Sequence, residues 1–571
     1  TYDWHAINEW RTKRTHNDDI DIKSLFDHLK TLGTSRSRKF DENFEAKINK
    51  SLQKLSLKKC PLLDKPISEK EIVQCVKELK NGKAVGEDKI SNEMIKCGIT
   101  VFAPILKCLF NAILAQEKVP LNWGKGWIIP IYKSGPKNNP QNYRPITISS
   151  CLCKVFTRIL NNRLSQFIDK NNSINEFQIG FKKGARTTDH IFLLKTIIDF
   201  YKSKKRHIYA CFVDFSSAFP SVWRNGLYYK LLKEGISSKF VNIVKSLYSN
   251  TECAIKIDNK ISDTFKSTIG TRQGCNLSPT LFNFYTNDLP KLLSESDVDP
   301  VLLDKKPIPL LMYADDIVLL SKSQKGLQCA LNVLSLYCHK WKLSINMKKT
   351  KIMIFNSRND PSKKFFINSD QLAITGQYTY LGIIFTPSGS FKRAIDTLTL
   401  KATKAWNSIS QNFSIWNGTP VKILLKLFTS IAQPIMLYGS EIWGSYLFRK
   451  PNLVSFTDMI FNPKLDSEKF HLKVCKQMLG INRKSSNISS LLELGRYPIV
   501  INIYKALIVY LLRIMNTAKS PLLNTALSIH NGLGNMSMLN FTNLPVTIAC
   551  QIGYIKKGFR KNCISKDKLH L

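Results

Sequence analysis

Two adjacent aspartates, Asp315 and Asp316, have the residue type and setting to do chemistry. Apolar runs at 310–313 and 317–320 flank them, a pattern that predicts a β-hairpin buried along both strands with an acidic tip. Two like charges side by side are unfavourable unless a cation compensates them. A surface turn that tolerates aspartate is the common interpretation of such a pair. The alternative is a site that holds divalent metal for phosphoryl chemistry.

A metal site of this kind needs a further carboxylate, and Asp214 is the candidate. The apolar run from His207 to Phe212 predicts a strand that ends in Val213-Asp214-Phe215, and a helix is expected after Pro220. A lone aspartate after a strand is also a common cap of the following turn. Asp214 therefore gains its meaning from the pair at 315 and 316.

Basic and glycine-containing loops that could bind phosphate precede these carboxylates. A predicted strand at 127–132 leads to Lys133 and then to Arg144, which could bind a triphosphate as a point charge and by paired hydrogen bonds. The loops 80–88 and 178–186 could follow a phosphate backbone, although solvated helix connections often have this composition. In the turn 270–279, glycines allow close approach of a flat ligand, and a glutamine side chain can both donate and accept.

The whole chain is strongly basic. Its 571 residues contain 84 Lys and Arg against 42 Asp and Glu, which gives a formal net charge of +42. A polyanion would relieve the self-repulsion, so nucleic acid is the expected partner, ahead of a membrane surface. The apolar fraction of 43% excludes a disordered tail and is typical of a globular protein with about two to four domains. No run of about 20 apolar residues is expected to cross a bilayer, because even 506–515 is bounded by Lys505 and interrupted by Arg513.

The cysteines and the first residues indicate a compartment and a context. None of the 14 cysteines has the spacing of a zinc site, which predicts buried thiols in a reducing compartment. The chain begins at Thr1 with neither an initiator Met nor an apolar signal region, so we expect a fragment of a longer polyprotein or reading frame.

The motifs, in their order and spacing, resemble those of reverse transcriptases. FVDFSSAF around Asp214, GTRQGCNLSPTLFN, YADD, NMKKTK and YLGI follow one another as in that family. NGKAVGEDKISNEMIK, PIYKSG, NYRPI and QIGFKKGARTTD are similar to additional upstream segments of the non-LTR (LINE-type) retrotransposon enzymes. The resemblance covers residues 68–384. It implies an α+β fold of the right-hand polymerase type, with fingers, a palm with an antiparallel sheet, a helical thumb and a largely helical C-terminal region.

The implied domain boundaries follow from the same resemblance. They are a helical N-terminal linker at 1–67, an N-terminal extension of the fingers at 68–126, the fingers and palm at 127–386, a helical thumb at 387–450, and a helical C-terminal region of unknown role at 451–571.

The resemblance also implies residue roles, and a structural role remains the alternative for all except the carboxylates. Catalysis and the binding of two Mg²⁺ ions, which Mn²⁺ could replace, are implied for Asp214, Asp315 and Asp316. Contacts with the incoming nucleotide are implied for Lys133, Arg144, Phe215, Phe219, Gln273, Gly274 and Lys349. Contacts with primer or template are implied for Lys83, Lys182, Lys183, Arg186, Arg272, Tyr380, Leu381 and Gly382.

The implied function is RNA-templated DNA synthesis by two-metal nucleotidyl transfer, for retrotransposition by target-primed reverse transcription. Its partners would be an RNA template, a DNA primer and deoxynucleoside triphosphates, with no membrane. The expected location is the nucleus and, as a ribonucleoprotein, the cytoplasm; the protein would be neither secreted nor membrane-spanning.

Two alternatives and one departure accompany this interpretation. The chain could be a catalytically inactive RNA-binding remnant of a retroelement, or an RNA-templated RNA polymerase, which the aromatic at Phe219 disfavours. Pro220 replaces the Asp of many family members, and the turn after Asp214 should differ because proline fixes φ and removes a donor.

Overall fold

The structure is a computed structural model that describes residues 20–34, 41–54, 58–357, 362–412, 419–447, 465–516 and 520–532. The chain divides into two compact units. Unit 1 comprises residues 1–181, 214–296 and 331–346, and unit 2 comprises residues 182–213, 297–330 and 347–571.

The described residues form α-helices and short strands in alternation. The helices are α1 (Ile22–Thr34), α2 (Glu42–Lys54), α3 (Pro61–Asp64), α4 (Glu69–Lys77), α5 (Asn92–Cys97), α6 (Ile99–Gln116), α7 (Cys151–Asn171), α8 (Thr187–Ser203), α9 (Arg224–Lys233), α10 (Ser238–Ser249), α11 (Ser278–Thr286), α12 (Leu289–Ser294), α13 (Gln324–Lys340), α14 (Lys392–Asn412), α15 (Val421–Leu427), α16 (Gln433–Met436), α17 (Ser440–Trp443), α18 (Asp466–Met478), α19 (Asn487–Glu493), α20 (Ile499–Asn516) and α21 (Pro521–Gly532). The strands are β1 (Lys125–Tyr132), β2 (Tyr143–Ile148), β3 (Ile208–Val213), β4 (Glu252–Ile257), β5 (Lys260–Lys266), β6 (Val301–Leu303), β7 (Lys306–Ile308), β8 (Leu310–Tyr313), β9 (Asp316–Ser321), β10 (Lys351–Phe355), β11 (Phe366–Ile367), β12 (Asp370–Gln371), β13 (Tyr378–Tyr380) and β14 (Ile383–Phe385).

Unit 1 contains a four-stranded sheet in the order β2-β1-β4-β5. The pairs β1–β2 and β4–β5 are antiparallel, and β1–β4 is parallel. Helix α1 packs on this sheet, because Leu25 and Leu29 share one hydrophobic core with Ile128, Ile255 and Phe265. The described residues of the N-terminal segment include the helices α1 and α2, and burial of its apolar face makes α1 part of the sheet's core. The role of residues 1–67 as a linker stays a prediction.

Helix α4 lies at the start of the segment 68–126, whose role as an extension of the fingers stays a prediction. Ser68 caps α4 in a capping box with Glu71. Glu71 also binds Arg163 of α7, whose guanidinium is 1% exposed and lies 2.9 Å from the carboxylate. Arg163 donates further hydrogen bonds to the backbone carbonyls of Leu63 and Lys65. This buried arginine therefore ties α7 to the segment that precedes α4.

Unit 2 contains an antiparallel sheet in the order β10-β3-β9-β8. All six residues of the central strand β3 are buried, which explains why its sequence is apolar without alternation: both faces of the strand are covered. The strands predicted at 207–213 and at 310–320 are confirmed. Strand β10 begins at Lys351, the last residue of the NMKKTK motif.

The remainder of unit 2 is mainly helical. The hairpin β13–β14 precedes α14, and a π-helical turn at Phe428–Ala432 separates α15 from α16. The helices expected in 387–450 and 451–571 are present where these segments are described; residues 448–464 and 533–571 lie outside the described residues. The mixture of helices and antiparallel sheets confirms the mixed α and β class, and the right-hand layout stays a prediction.

Two described helices, α6 and α20, are long and apolar enough to cross a bilayer by length and composition. Each has 18 residues and a mean hydropathy of 1.6. The bent pair Val421–Met436 and Ser440–Tyr446 meets the same criterion only if it counts as one span. The expectation that no such segment exists is wrong, because it required an uninterrupted apolar run, whereas Arg513 in the last turn of α20 leaves the mean hydropathy high.

Candidate active site

The acidic hairpin is formed by β8 and β9 of unit 2. Tyr313 pairs with Asp316, so the two-residue turn consists of Ala314 and Asp315. The sequence predicts both aspartates at the tip, and the structure places Asp315 in the turn and Asp316 in the first, exposed position of β9. Ala314 is buried and has φ +56°, a left-handed conformation that costs a non-glycine residue about 1–3 kcal/mol. Packing against the sheet therefore holds this turn in an unfavourable conformation.

Strand β3 ends beside this turn in the same sheet. Val213, its last residue, pairs with Ile317 of β9, and Asp214 is the next residue of the chain. Within unit 1 the backbone of Asp214 is fixed, because its carbonyl accepts a hydrogen bond of 2.8 Å from the Asn346 N–H. The neighbouring Phe215 forms a β-bridge with Ile345.

The buried side chain of Phe215, which is 6% exposed, corrects one prediction. Phe215 packs in the interior of unit 1, so its ring is not available to a nucleotide. The carboxylates at 214, 315 and 316 offer hard oxygen donors, the type that Mg²⁺ prefers. Among the described residues, however, no group of three or more His, Cys, Asp or Glu side chains is placed to hold a metal ion. The metal role of the three aspartates stays a prediction.

Two tyrosines lie near Asp316 in unit 2. Burial, followed by the charges of neighbours that include Asp316, raises the pKa of Tyr313. Burial and then Asp316 hold the pKa of Tyr380 well above its usual value. Both phenols are therefore neutral at physiological pH, and they surround the carboxylate with uncharged groups rather than with further anions.

Tyr380, Leu381 and Gly382 of the YLGI motif form the end of a strand and a tight turn. Leu381 and Gly382 have φ of +47° and +86° and connect β13 to β14, as a two-residue hairpin turn with two positive φ values requires. The hydroxyl of Tyr438 donates to the Leu381 carbonyl at 2.8 Å. A Cβ on residue 382 would lie 2.8 Å from the Tyr438 ring, so glycine allows this close approach.

The position of Tyr380 corrects its predicted contact with the primer. Its side chain is 3% exposed and packs against Phe212 and Phe385, with ring centroids at 5.7 and 6.4 Å. The ring supports the hairpin from inside the unit. The partly exposed Leu381 and the exposed Gly382 of the turn remain accessible to a strand of nucleic acid.

Lys133 and Arg144 lie at one end of the β1–β2 pair in unit 1. Arg144 pairs with Ile131, and the Lys133 N–H donates to the Asn142 carbonyl at 2.8 Å. Both basic side chains are exposed. The structure therefore brings these two predicted phosphate-binding residues together on the same hairpin.

Gln273 and Gly274 are held against β2. The Gln273 carbonyl accepts a hydrogen bond of 2.7 Å from the Thr147 N–H. Gly274 has φ +112°, and a Cβ there would lie 2.6 Å from the Thr147 carbonyl oxygen. The Gln273 side-chain oxygen is buried without a hydrogen-bond partner in the described part of the chain, which leaves an acceptor that a ligand could use.

Phe219 is partly exposed and rests on other aromatic rings. It stacks on Phe282 with a centroid distance of 4.7 Å and contacts Phe181 edge-on at 6.4 Å. Its carbonyl accepts a hydrogen bond of 2.9 Å from the Thr271 N–H. The carbonyl oxygen of Pro220 would be 2.4 Å from a Cβ on Gly270, so these two turns pack backbone to backbone.

Arg272 is the clearest correction among the predicted nucleic-acid contacts. Only 9% of the residue is exposed, and its guanidinium donates to the carbonyls of Trp123, Gly124 and Leu247 at 2.7–2.9 Å. A longer hydrogen bond of 3.4 Å goes to the Thr251 hydroxyl. The terminal guanidinium nitrogens thus join segments of unit 1 and are not available to template or primer.

The remaining predicted contacts are on the surface. In unit 2, Lys182, Lys183 and Arg186 are exposed in the loop before α8, and Lys349 is exposed before β10. In unit 1, Lys83 is exposed in the loop before α5.

A buried network that sequence reasoning missed holds the loop before α8. Asp189 forms an ion pair with Arg513 of α20, and Arg513 also donates to the Gly184 carbonyl at 3.0 Å. The Tyr510 hydroxyl lies 3.1 Å from the same carboxylate. No local pattern could reveal this contact, because 324 residues separate Asp189 from Arg513.

A comparison with protein families gives the class of protein that part of this chain resembles. Residues 135–385 match the family model described as "Reverse transcriptase (RNA-dependent DNA polymerase)". This segment includes β2, β3, the acidic hairpin and the hairpin β13–β14, and therefore all three candidate carboxylates, whereas Lys133 and Lys83 precede it.

The relatives that match this chain are named as proteins of transposons and other mobile elements. The chain is 27% identical over 433 residues to "Probable RNA-directed DNA polymerase from transposon BS" of Drosophila melanogaster, covering 74% of this chain and 46% of the relative. It is 27% identical over 386 residues to "RNA-directed DNA polymerase from mobile element jockey" of Drosophila funebris, covering 66% and 42%. A "Retrovirus-related Pol polyprotein from type-1 retrotransposable element R2" of Nasonia vitripennis is 25% identical over 351 residues, covering 58% and 32%.

Residues 135–385 are thus similar to the reverse transcriptases, and the relatives named here are RNA-directed DNA polymerases or Pol polyproteins of mobile elements. The chain spans less than half the length of these relatives.

Proposed function

We propose that this chain is an RNA-directed DNA polymerase that extends a primer 3′-hydroxyl with deoxynucleotides by two-metal nucleotidyl transfer. The observation that carries the proposal is the strained turn at Ala314-Asp315, placed at the same end of one sheet as the end of β3, within a segment that matches reverse transcriptases. Such strain persists where the surrounding structure maintains it, and it is concentrated at functional sites.

The donor chemistry of the three aspartates fits a pair of hard divalent ions, Mg²⁺ or Mn²⁺ in its place. Asp214, Asp315 and Asp316 would hold them. When bound, the ions activate the primer hydroxyl and neutralise charge on the leaving pyrophosphate.

The other residues would bind and orient the nucleotide. Lys133 and Arg144 would bind the triphosphate, by charge and by paired hydrogen bonds respectively. The unpaired oxygen of Gln273 would accept a hydrogen bond from the nucleotide or template. Phe219, fixed by its stack on Phe282, would exclude a ribose 2′-hydroxyl, and Lys349 would contact the phosphates.

The proposal includes the setting of the reaction. The partners would be an RNA template, a DNA primer and deoxynucleoside triphosphates, with target-primed retrotransposition as the process. The chain would act in the nucleus and occupy the cytoplasm as a ribonucleoprotein.

Primer extension on an RNA template tests this function. The chain, supplied with Mg²⁺ and a 5′-labelled DNA primer, should extend the primer with deoxynucleotides in a template-directed order. Binding of the primer–template without extension in either Mg²⁺ or Mn²⁺ would contradict the polymerase and favour a remnant that only binds RNA. Extension with ribonucleotides in preference to deoxynucleotides would contradict the assignment as a DNA polymerase.

A further inference from the structure

A basic cavity of about 860 Å³ lies in unit 2. Lys202 and Lys205 approach it from the end of α8, and Lys392 and Arg393 from the start of α14. No acidic side chain is among the described residues that line it. Its other walls carry hydroxyl groups, including that of Thr386.

The cavity lies at the opposite end of the sheet from the acidic hairpin. Asn356, which lines it, follows β10, and Phe355 of β10 pairs with Ile208 at the beginning of β3. The acidic turn lies beside Val213 at the other end of β3. Five residue steps of about 3.3 Å separate these ends by about 17 Å. The cavity is therefore distinct from the candidate active site.

Hydrogen bonds fix one wall of the cavity. The Asn356 N–H donates to the Pro387 carbonyl at 2.9 Å, and its side-chain amide donates to the carbonyls of Ile198 and Arg206. The Asn356 side-chain oxygen is buried without a hydrogen-bond partner in the described ranges. Lys202 donates to the Ser388 carbonyl at 3.0 Å.

The cations around the cavity are only partly compensated. Among the residues that the structure describes, the side chains of Lys205 and Lys392 form neither a hydrogen bond nor an ion pair. Helix α14 begins at Lys392, so the positive end of its dipole adds to the field. Four basic side chains without a carboxylate repel one another, and an anion in the cavity would remove that cost.

We infer that this cavity binds the phosphodiester backbone of a nucleic acid that runs outside the candidate active site. Its volume is within the range of ligand sites of about 300–1,000 Å³, which is large enough for a backbone segment. Lysine, arginine and hydroxyl groups are the usual partners of phosphate oxygens. A strand held here would add a second contact to the chain's nucleic-acid partner, independently of nucleotide addition.

The test compares two charge-matched variants of α14. The variant K392E/R393E reverses two exposed cations of the cavity. The control K401E/K404E reverses two exposed lysines of the same helix that do not line the cavity. The fluorescence anisotropy of labelled single-stranded RNA and of labelled duplex DNA gives Kd from about 0.05 to 0.2 M salt, the range over which phosphate contacts lose affinity measurably.

The cavity variant should bind at least one of the two nucleic acids about tenfold more weakly than the control at the lower salt. For the nucleic acid whose binding is weakened, the salt slope should be smaller by about 1.4 if it is single-stranded RNA and by about 1.8 if it is duplex DNA, since each lost phosphate contact removes about 0.7 or about 0.9 respectively. The nucleic acid whose binding is weakened is then identified, as RNA or DNA, as the source of the phosphates.

Equal affinities of the two variants for both nucleic acids would overturn the inference, because the basic side chains of the cavity would then be ordinary solvated surface charges. Loss of binding to inorganic tripolyphosphate alone, measured by calorimetry, would also overturn it. No nucleotides are present in these measurements, so the outcome does not depend on whether the chain polymerises.

Discussion

Removal of the Arg513 guanidinium should destabilise unit 2 by leaving a buried carboxylate without its cation. Asp189 is 3% exposed and pairs with Arg513. In the variant R513M the side chain keeps an unbranched apolar stem and loses the guanidinium and its charge. Loss of one partner of a buried ion pair costs about 3–5 kcal/mol. We expect about 3 kcal/mol, because the Tyr510 hydroxyl and the Arg186 N–H still bind the carboxylate.

Urea unfolding followed by far-UV circular dichroism measures this change as a lower midpoint at an unchanged m value. The matched control is K505M, which removes an exposed charge from the same helix and should change stability by less than about 0.5 kcal/mol. In an Asp189→Asn background, R513M should cost about 1 kcal/mol or less, because no buried charge is then left unpaired. An equal cost of R513M in both backgrounds would refute the ion-pair explanation.

Three further predictions concern a buried histidine, the proposed sugar gate and a misassigned arginine. Burial lowers the pKa of His190 from 6.5 to about 3. Below pH 6.5 the unfolded chain therefore takes up a proton that the folded chain does not, and the free energy of unfolding decreases as the pH is lowered. Acidification from pH 7 to 5.5 should therefore cost the unmodified chain about 1 kcal/mol more than His190→Leu in urea unfolding; equal losses would contradict this. Phe219→Val should reduce the preference for deoxy- over ribonucleotides in kcat/KM by about tenfold or more, or about 1.4 kcal/mol, and unchanged discrimination would exclude the steric role. Arg272→Met should lower the midpoint of thermal unfolding by leaving buried carbonyls unpaired, at about 1–3 kcal/mol each, whereas the affinity of the folded protein for nucleic acid should stay within about twofold; a selective loss of affinity would restore the predicted contact.

Local sequence patterns were sufficient to predict segments whose conformation depends mainly on their own residues. The apolar runs around Asp315 predict the buried hairpin β8–β9, because strands covered on both faces need no alternation. The turn at Leu381-Gly382 is likewise a local property, since glycine readily adopts a positive φ.

Tertiary contacts decided the predictions that failed. Whether Arg272 reaches solvent or donates to the carbonyls of Trp123 and Gly124 depends on segments about 150 residues away. Tyr380 is buried because the hairpin turns its ring towards Phe212, which the sequence of the turn does not specify. The pairing of Asp189 with Arg513 depends on how α20 packs, and no periodicity within either helix predicts it.

The rate of the first nucleotide addition shows whether the Asp315 carboxylate takes part in catalysis. The measurement uses a preformed RNA template and DNA primer with saturating Mg²⁺ and the next complementary deoxynucleotide. It compares the unmodified chain with Asp315→Asn and with the control Asp297→Asn, which neutralises an exposed aspartate outside the candidate site.

We expect Asp315→Asn to slow addition by at least about 100-fold, or about 2.7 kcal/mol, with primer–template affinity retained, and Asp297→Asn to leave the rate unchanged. An Asp315→Asn protein that adds the nucleotide as fast as the control would contradict the assignment of this carboxylate to catalysis.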